Sequence, residues 1–177
     1  MPAEAPEPIQ TLAPTQEVVW PEWVYPYPAG IIGGLLGGGA IAVVGVIYGL
    51  ISGIGPWLPI NLVAATVLRS LQSQPLEALK QFNLPALIVG AVIHILMSIS
   101  LGLMFSFILP ALPGRPLHWG PVIGPVLWVA ATIAALPIIN PIMTAHVEWI
   151  SFAIGNVLYG LALGWWIDRT PMIPVGR

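Results

Sequence analysis

Four long apolar stretches, at about residues 31–55, 84–109, 121–139 and 149–167, contain no Asp, Glu, Lys or Arg before their last turn. A helix of about 20 apolar residues crosses the roughly 30 Å hydrocarbon core of a bilayer, and each stretch meets that requirement. The strands of a membrane barrel alternate polar and apolar residues at every second position, and these stretches do not. The expected fold is therefore an all-α membrane protein with about four transmembrane helices. Charge agrees with it: 7% of the residues are charged and 57% hydrophobic, whereas a soluble domain carries about 25% charged residues. A surface so poor in charge needs lipid as its solvent.

The flanks of the stretches carry aromatic residues. Trp20, Trp23, Tyr25 and Tyr27 precede the first stretch and Trp57 follows it, Trp119 sits at the start of the third, and Trp149, Trp165 and Trp166 bracket the fourth. Amphipathic rings collect at the headgroup level, so these positions read as anchors. Four spans place both termini on one side, which carries Arg115, Arg169 and Arg177 against Arg69 and Lys80 opposite. Basic residues favour the cytoplasmic side, so both termini are expected there.

The segment between the first two stretches does not read as a span. Over about residues 60–72, Ile60, Val63, Ala64, Val67, Leu68 and Leu71 share one helical face, and Asn61, Thr66, Arg69, Ser70 and Gln72 the other. That is an amphipathic helix. The twelve residues from Ile60 to Leu71 make roughly 18 Å of helix, too short to cross, so a short interfacial helix is expected, lying in the membrane plane or against a partner. Pro75 suits the first position of a shorter turn that follows.

Residues 1–29 form a polar, proline-rich tail outside the membrane, with seven prolines and the four glutamates Glu4, Glu7, Glu17 and Glu22. They lack the basic start and apolar run of a signal peptide. Prolines interleaved with Trp20, Trp23, Tyr25 and Tyr27 suit an extended strap laid over a partner. Residues 169–177 form a second, short tail.

Glycine supplies the strongest local pattern. Gly45, Gly49 and Gly53 recur every four residues, and Gly33 with Gly37 and Gly34 with Gly38 repeat the spacing nearer the start. Lipid provides no hydrophobic drive for helix pairing, so close packing depends on small residues that let backbones touch. Gly33, Gly37, Gly45, Gly49 and Gly53 are the expected helix-packing positions, with a partner that is either another subunit or another helix of this chain.

His94 is the only histidine within a span, one turn after Gly90 and one turn before Ser98. Ionisable groups inside a membrane are costly and so are functional candidates. One reading makes His94 a cofactor-binding residue, touching a chlorophyll-type pigment, a haem or a quinone, with Gly90 leaving room for a flat ring. The other makes it a neutral imidazole bonded to Ser98 or a carbonyl. A bis-histidine haem held by this chain alone is excluded for want of a second intramembrane histidine. Asn156 and Tyr159 lie one turn apart in the fourth stretch, where an Asn is expected to bond across to another helix. Tyr48 and Trp128, mid-span, read first as packing residues and second as cofactor contacts. His146 and Glu148 lack a third ligand and make a poor metal site.

Other chemistries find little support. The absence of cysteine rules out disulfides, Cys-ligated zinc, iron–sulfur clusters and covalently attached haem. The net charge of −2 and five scattered basic residues leave no phosphate-binding stripe, so nucleic acid is not an expected partner. No paired carboxylates lie in a span and no nucleophile–base set is visible, so no metal, catalytic residue or enzymatic activity is expected.

Residues 59–65 (PINLVAA), Gly90 to Ser98, Pro121 to Trp128, and Ile139–Pro141 running into Glu148 and Trp149 resemble, together, a family of small, uncharacterised four-helix bacterial integral membrane proteins. The likeness spans roughly residues 30–168. It implies a bacterial cytoplasmic (inner) membrane protein associated with electron-transfer complexes. The expected function is then a non-catalytic accessory or scaffold subunit of a larger respiratory or photosynthetic assembly. Its partners would be the lipid bilayer and other membrane subunits, and it would need no cofactor of its own. A small oligomeric channel or transporter, and a pigment-, haem- or quinone-binding subunit using His94, are the alternatives.

Overall fold

The structure, a computed structural model, describes residues 21–175. It is mostly helical, and four helices are long and apolar enough to cross a membrane: α1 (Tyr27–Ile51), α4 (Leu84–Ile108), α5 (Pro116–Ile139) and α7 (Trp149–Asp168). Between α1 and α4 lie the short helices α2 (Trp57–Ala64) and α3 (Leu76–Leu79), with a 3-10 turn at Arg69–Ser73. A further short helix, α6 (Pro141–His146), joins α5 to α7.

The helix limits follow from local chemistry. Pro28 lies in the first turn of α1, where its missing N–H would be unbonded in any case, and the helix therefore starts earlier than residue 31. It ends at Ile51 rather than at 55. Gly53 and Gly55 take positive φ (+74° and +83°) and turn the chain back, so that the Gly55 N–H donates to the Gly49 carbonyl at 2.9 Å. The Asn83 side chain caps α4 by accepting from the Ala86 N–H at 3.1 Å. Glu148 caps α7, accepting from the N–H groups of Ile150 (3.1 Å) and Ser151 (2.7 Å). These bonds, that from Ser151 first, hold the Glu148 carboxyl below the usual carboxylate range against the opposing effect of burial.

The long helices pack in the order α4, α1, α7, α5. The glycines of α1 decide this by lying on two faces. Gly30, Gly34 and Gly38 meet Gly102, Ser98 and Ser106 of α4, whereas Gly33 and Gly37 meet Leu163 and Tyr159 of α7. A Cβ at Gly37 would lie 2.8 Å from the Tyr159 carbonyl oxygen, so only glycine lets these backbones approach. Gly120 and Gly124 of α5 meet Gly160 of α7 in the same way. The second glycine series, Gly45, Gly49 and Gly53, makes no such helix pair. A Cβ at Gly45 would find only Pro59, at 3.9 Å, Gly49 touches the turn at Gly55, and Gly53 lies beyond the helix with open space around it. Gly33 and Gly37 thus lie in a helix–helix contact within this chain, whereas Gly45, Gly49 and Gly53 lie in none among the described residues.

The described part of the tail pairs with this chain's own other end. Strand β1 (Trp23–Val24) runs antiparallel to β2 (Ile173–Pro174), and the Val175 N–H donates to the Glu22 carbonyl at 2.9 Å. Both ends of the described chain therefore meet at one end of the bundle. Tyr25 packs against the core there, and its phenol is pushed upward in pKa by burial and then by the Asp168 carboxylate. Tyr27 stands exposed, its ring edge-on to Phe107 at 5.7 Å, and Trp23 is half exposed. Trp20 lies outside the described residues. Where a strap over a partner is expected, Trp23 and Tyr25 belong to a clasp within the chain. Arg115 and Asp168 close the same end with a two-point ion pair.

The opposite end differs most from the sequence reading. The helix expected over residues 60–72 stops at Ala64, and Asn61, on the supposed polar face, is 1% exposed, whereas Val67, on the supposed apolar face, is 60% exposed. Asn61 and, in part, Thr66 and Gln72 turn inward, while Arg69 and Ser70 stay exposed; this end is built of short helices, whose last carbonyls lack helical partners. Asn61 donates to the carbonyls of Leu79 (2.7 Å) and Gln81 (2.9 Å). Asn140, fully buried, donates to the Leu62 carbonyl (2.7 Å) and to Thr66 Oγ1 (2.9 Å), while its own oxygen caps α6. Gln72 and Arg69 both donate to the Ile139 carbonyl at the end of α5. Periodicity reads such residues as water-facing, since carbonyls satisfy a donor as well as water does.

Candidate functional site

The two ends leave a space between them. At the end where the termini meet, Leu101, Phe105, Leu109, Tyr159, Leu163 and Ile167 fill the bundle. At the opposite end, α2 packs against α4, with Leu58, Leu62, Leu71 and Leu79 forming a second core. In that half α4 and α5 barely touch. A chamber of about 680 Å³ lies there, walled by α1, α2, α4 and α5 and by the α6–α7 junction. Its lining is overwhelmingly apolar. The polar exceptions are Tyr48, Thr66, His94, Trp128, Thr132, His146, Glu148 and Ser151. Volume and apolar character match a site for a small organic molecule.

The chamber reaches the outer face of the bundle. A second cavity of about 470 Å³ runs between α1 and the start of α7 and shares Val44, Tyr48, Glu148 and Ser151 with the chamber. The cause is in the sequence of α1. Up to Ile41, which packs over Gly155, the helix meets α7 through glycines. Beyond it, Val44, Ile47, Tyr48 and Ile51 line the crevice towards α7, and these larger side chains hold the backbones apart.

His94 stands on the chamber wall, half-buried, with Nε2 2.8 Å from the Gly38 carbonyl oxygen. A carbonyl only accepts, so Nε2 carries a proton and Nδ1 of the neutral ring is the remaining acceptor. This is the carbonyl-bonded arrangement, with Nε2 spent on α1. The room that Gly90 was expected to leave for a flat ring is taken by α2: a Cβ there would lie 2.7 Å from the Ile60 carbonyl oxygen. Ser98 packs against Gly38, its carbonyl accepting from the Tyr159 hydroxyl at 2.7 Å. Asn156 bonds back to its own helix, Nδ2 to the Phe152 carbonyl at 2.7 Å, instead of crossing to another. His146 Nδ1 likewise turns back on the Ile142 carbonyl at 2.9 Å, and Glu148 is engaged in its cap.

Two side chains of the chamber wall are ones that the sequence read first as packing or not at all. Trp128 and Thr132, one turn apart on α5, both line the chamber. The Trp128 Nε1 and the Thr132 Oγ1 are buried and have no hydrogen-bond partner among the described residues. Four further buried polar atoms on residues away from the chamber, Asn61 Oδ1, Ser98 Oγ, Asn156 Oδ1 and Trp166 Nε1, likewise have no partner among the described residues. Trp128 is held edge-on by Phe152 at 6.1 Å, and Phe152 in turn meets Trp149. The only signal in the sequence was a lone hydroxyl four residues after a mid-helix tryptophan, an unremarkable pattern in an apolar helix.

Comparison with protein-family models, with curated proteins and with solved structures gives no significant match for this chain.

Proposed function

We propose that the chain is an integral membrane protein that spans the bilayer four times and binds a lipid-soluble small molecule, without transforming it, in the chamber between its packed ends. The observation that carries this reading is the apolar chamber itself, closed towards the chain termini by the core around Phe105 and Tyr159 and open sideways between α1 and α7. A space closed at one end suits a bound occupant better than a through path. Both termini are proposed to face the cytoplasm of a bacterium, since Arg115 and Arg169 lie at that end.

Solvent extraction of the purified protein followed by mass spectrometry tests this. Gly45 lines the chamber, and nearly 4 Å of clear space surrounds its Cβ direction, so Gly45→Phe fills the chamber from a helical position with normal backbone angles. Wild-type protein should release a lipid-soluble molecule in near-stoichiometric amount and Gly45→Phe should not. Equal lipid content in both would overturn the reading.

A second reading, the accessory subunit of a respiratory or photosynthetic assembly, keeps one structural support. α5 leans on α7 alone for most of its length, with 12% of its apolar span buried. A neighbouring subunit would cover that face. Co-purification in mild detergent tests it: a stable companion lost on Val126→Trp supports it, and a chain that always runs alone refutes it.

A further inference from the structure

We infer that the chamber takes a lipophilic cation, its charged head held at the mouth by the Glu148 carboxylate and its apolar body inside; this rests on the chamber reading above. Among the described residues, Glu148 is the one Asp, Glu, Lys or Arg that lines the chamber or the crevice, and it lines both. Tyr48 and Ser151 stand with it where the two spaces join. The acidic residues within helices are paired, Glu77 with Lys80 and Asp168 with Arg115, whereas Glu148 forms no ion pair among the described residues. Its two carboxylate oxygens accept one backbone N–H each, from Ile150 and Ser151, and each has room for a second donor. The same bonds lower its pKa and so keep it ionised at neutral pH.

Position decides what that charge can do. Glu148 caps the start of α7 and Tyr48 lies in the last turn of α1, so both stand where a span ends. A charge is costly at the bilayer centre and cheap near the interface, so a cationic head rests at this level while the body attached to it reaches inward. The inner wall is apolar and carries the rings of Tyr48, Trp57, Trp128 and Phe152, and aromatic rings suit a cation and an apolar body alike. His94 and His146 each give one ring N–H to a carbonyl, which leaves the second nitrogen of the neutral ring an acceptor. An anionic head is the wrong occupant: no Lys or Arg among the described residues lines either space, so it would face Glu148 without a counter-charge. A neutral molecule fits the chamber but gains nothing from the carboxylate.

Equilibrium binding to the full chain in a non-ionic detergent is measured for two cations, dodecyltrimethylammonium and methyltriphenylphosphonium. Their uncharged carbon isosteres, tert-butyldodecane and triphenylethane, and the anion dodecyl sulfate serve as comparisons. Wild type should bind at least one cation about tenfold more tightly than its isostere, and dodecyl sulfate more weakly than either. The preferred cation tells a single-chain amphiphile from a ring-bodied one. Glu148→Gln should erase the preference, bringing that cation to within about twofold of its isostere. Glu148→Asp keeps both the charge and a capping oxygen and should retain the preference. If the isosteres or dodecyl sulfate bind as tightly as the cations, or Glu148→Gln prefers the cation as wild type does, the cation assignment fails while the chamber stands. If no probe binds, the chamber reading fails with it. A thermal unfolding curve accompanies each variant; should Glu148→Gln not fold, the wild-type preference over isostere and anion still decides.

Discussion

The same two helices, α1 and α7, behave differently in the two halves of the molecule. Towards the termini, Gly33 and Gly37 of α1 bring the backbones together over Leu163 and Tyr159. Past Ile41 and Gly155 the facing residues branch, the helices part, and a crevice opens into the chamber. Gly37 set against the Tyr159 backbone makes a helix pair that tolerates no added atom. Branched residues make a wall that leaves space. One half is thus scaffold and the other container, and the difference is written in the side chains of a single helix.

The largest expected effect sharpens that contrast. A Cβ at Gly160 would lie 2.9 Å from the Pro121 nitrogen and closer still to the Gly120 carbonyl, and neither backbone can give way. Gly160→Leu should cost about 3 kcal/mol or more, read as loss of the folded band or a collapse of the unfolding midpoint. Gly45→Leu, in the open half, should change stability by less than about 1 kcal/mol, in the range of substitutions that break no packed contact. Equal damage from both would erase the distinction between the halves.

Next comes the buried polar cluster that closes the container. Asn140→Ala removes donors to the Leu62 carbonyl and the Thr66 hydroxyl and the acceptor that caps α6, leaving the Leu62 carbonyl and the Met143 N–H without these partners. About 2–3 kcal/mol should be lost, and hydrogen exchange should rise in α2 and α6 before it rises in α1 or α7. In the tight half, Tyr159→Phe removes the hydroxyl bond to the Ser98 carbonyl and should cost about 1 kcal/mol. A larger loss at Tyr159 than at Asn140 would mean that the container is the sturdier half.

How far this was legible in the sequence depends on the type of residue. The four long helices were plain, because a charge-free run of this length has few other outcomes. The glycine spacing announced close packing but not its partner: Gly45 and Gly49 repeat as regularly as Gly33 and Gly37, and only the branched neighbours separate them. Asn61 and Gln72 misled, since a periodic pattern cannot tell water from a buried carbonyl. Prolines and rings around Trp23 and Tyr25 suggested an external strap, while the strand that receives them lies 150 positions on, beyond any local signal. Thr132 was invisible because a threonine in an apolar helix ordinarily bonds to its own backbone.

The smallest effect concerns pH. The N–H of Ser151, followed by that of Ile150, lowers the Glu148 carboxyl from its ordinary value of 4.5. A group with a depressed folded pKa contributes stability above its unfolded pKa and loses it as pH falls through the folded value. Unfolding should therefore become slightly easier below about pH 4.5, starting at the mouth of the crevice, and Glu148→Gln should flatten that dependence. An unchanged acid limb in Glu148→Gln would remove the cap from the account.

Whether the open half holds a lipid-soluble occupant is read by photolabelling in bilayers with an alkyl chain bearing a diazirine, followed by peptide mapping. Lipid around the bundle can reach Phe107, Val126 and Ile133, which are exposed, but not Leu62 or Thr132, which are buried on the chamber wall. Labels are expected on Leu62, Thr132 and Tyr48, from three different walls, and should be lost in Gly45→Phe. Labels confined to outward residues such as Phe107 and Val126, unchanged by Gly45→Phe, would contradict such an occupant.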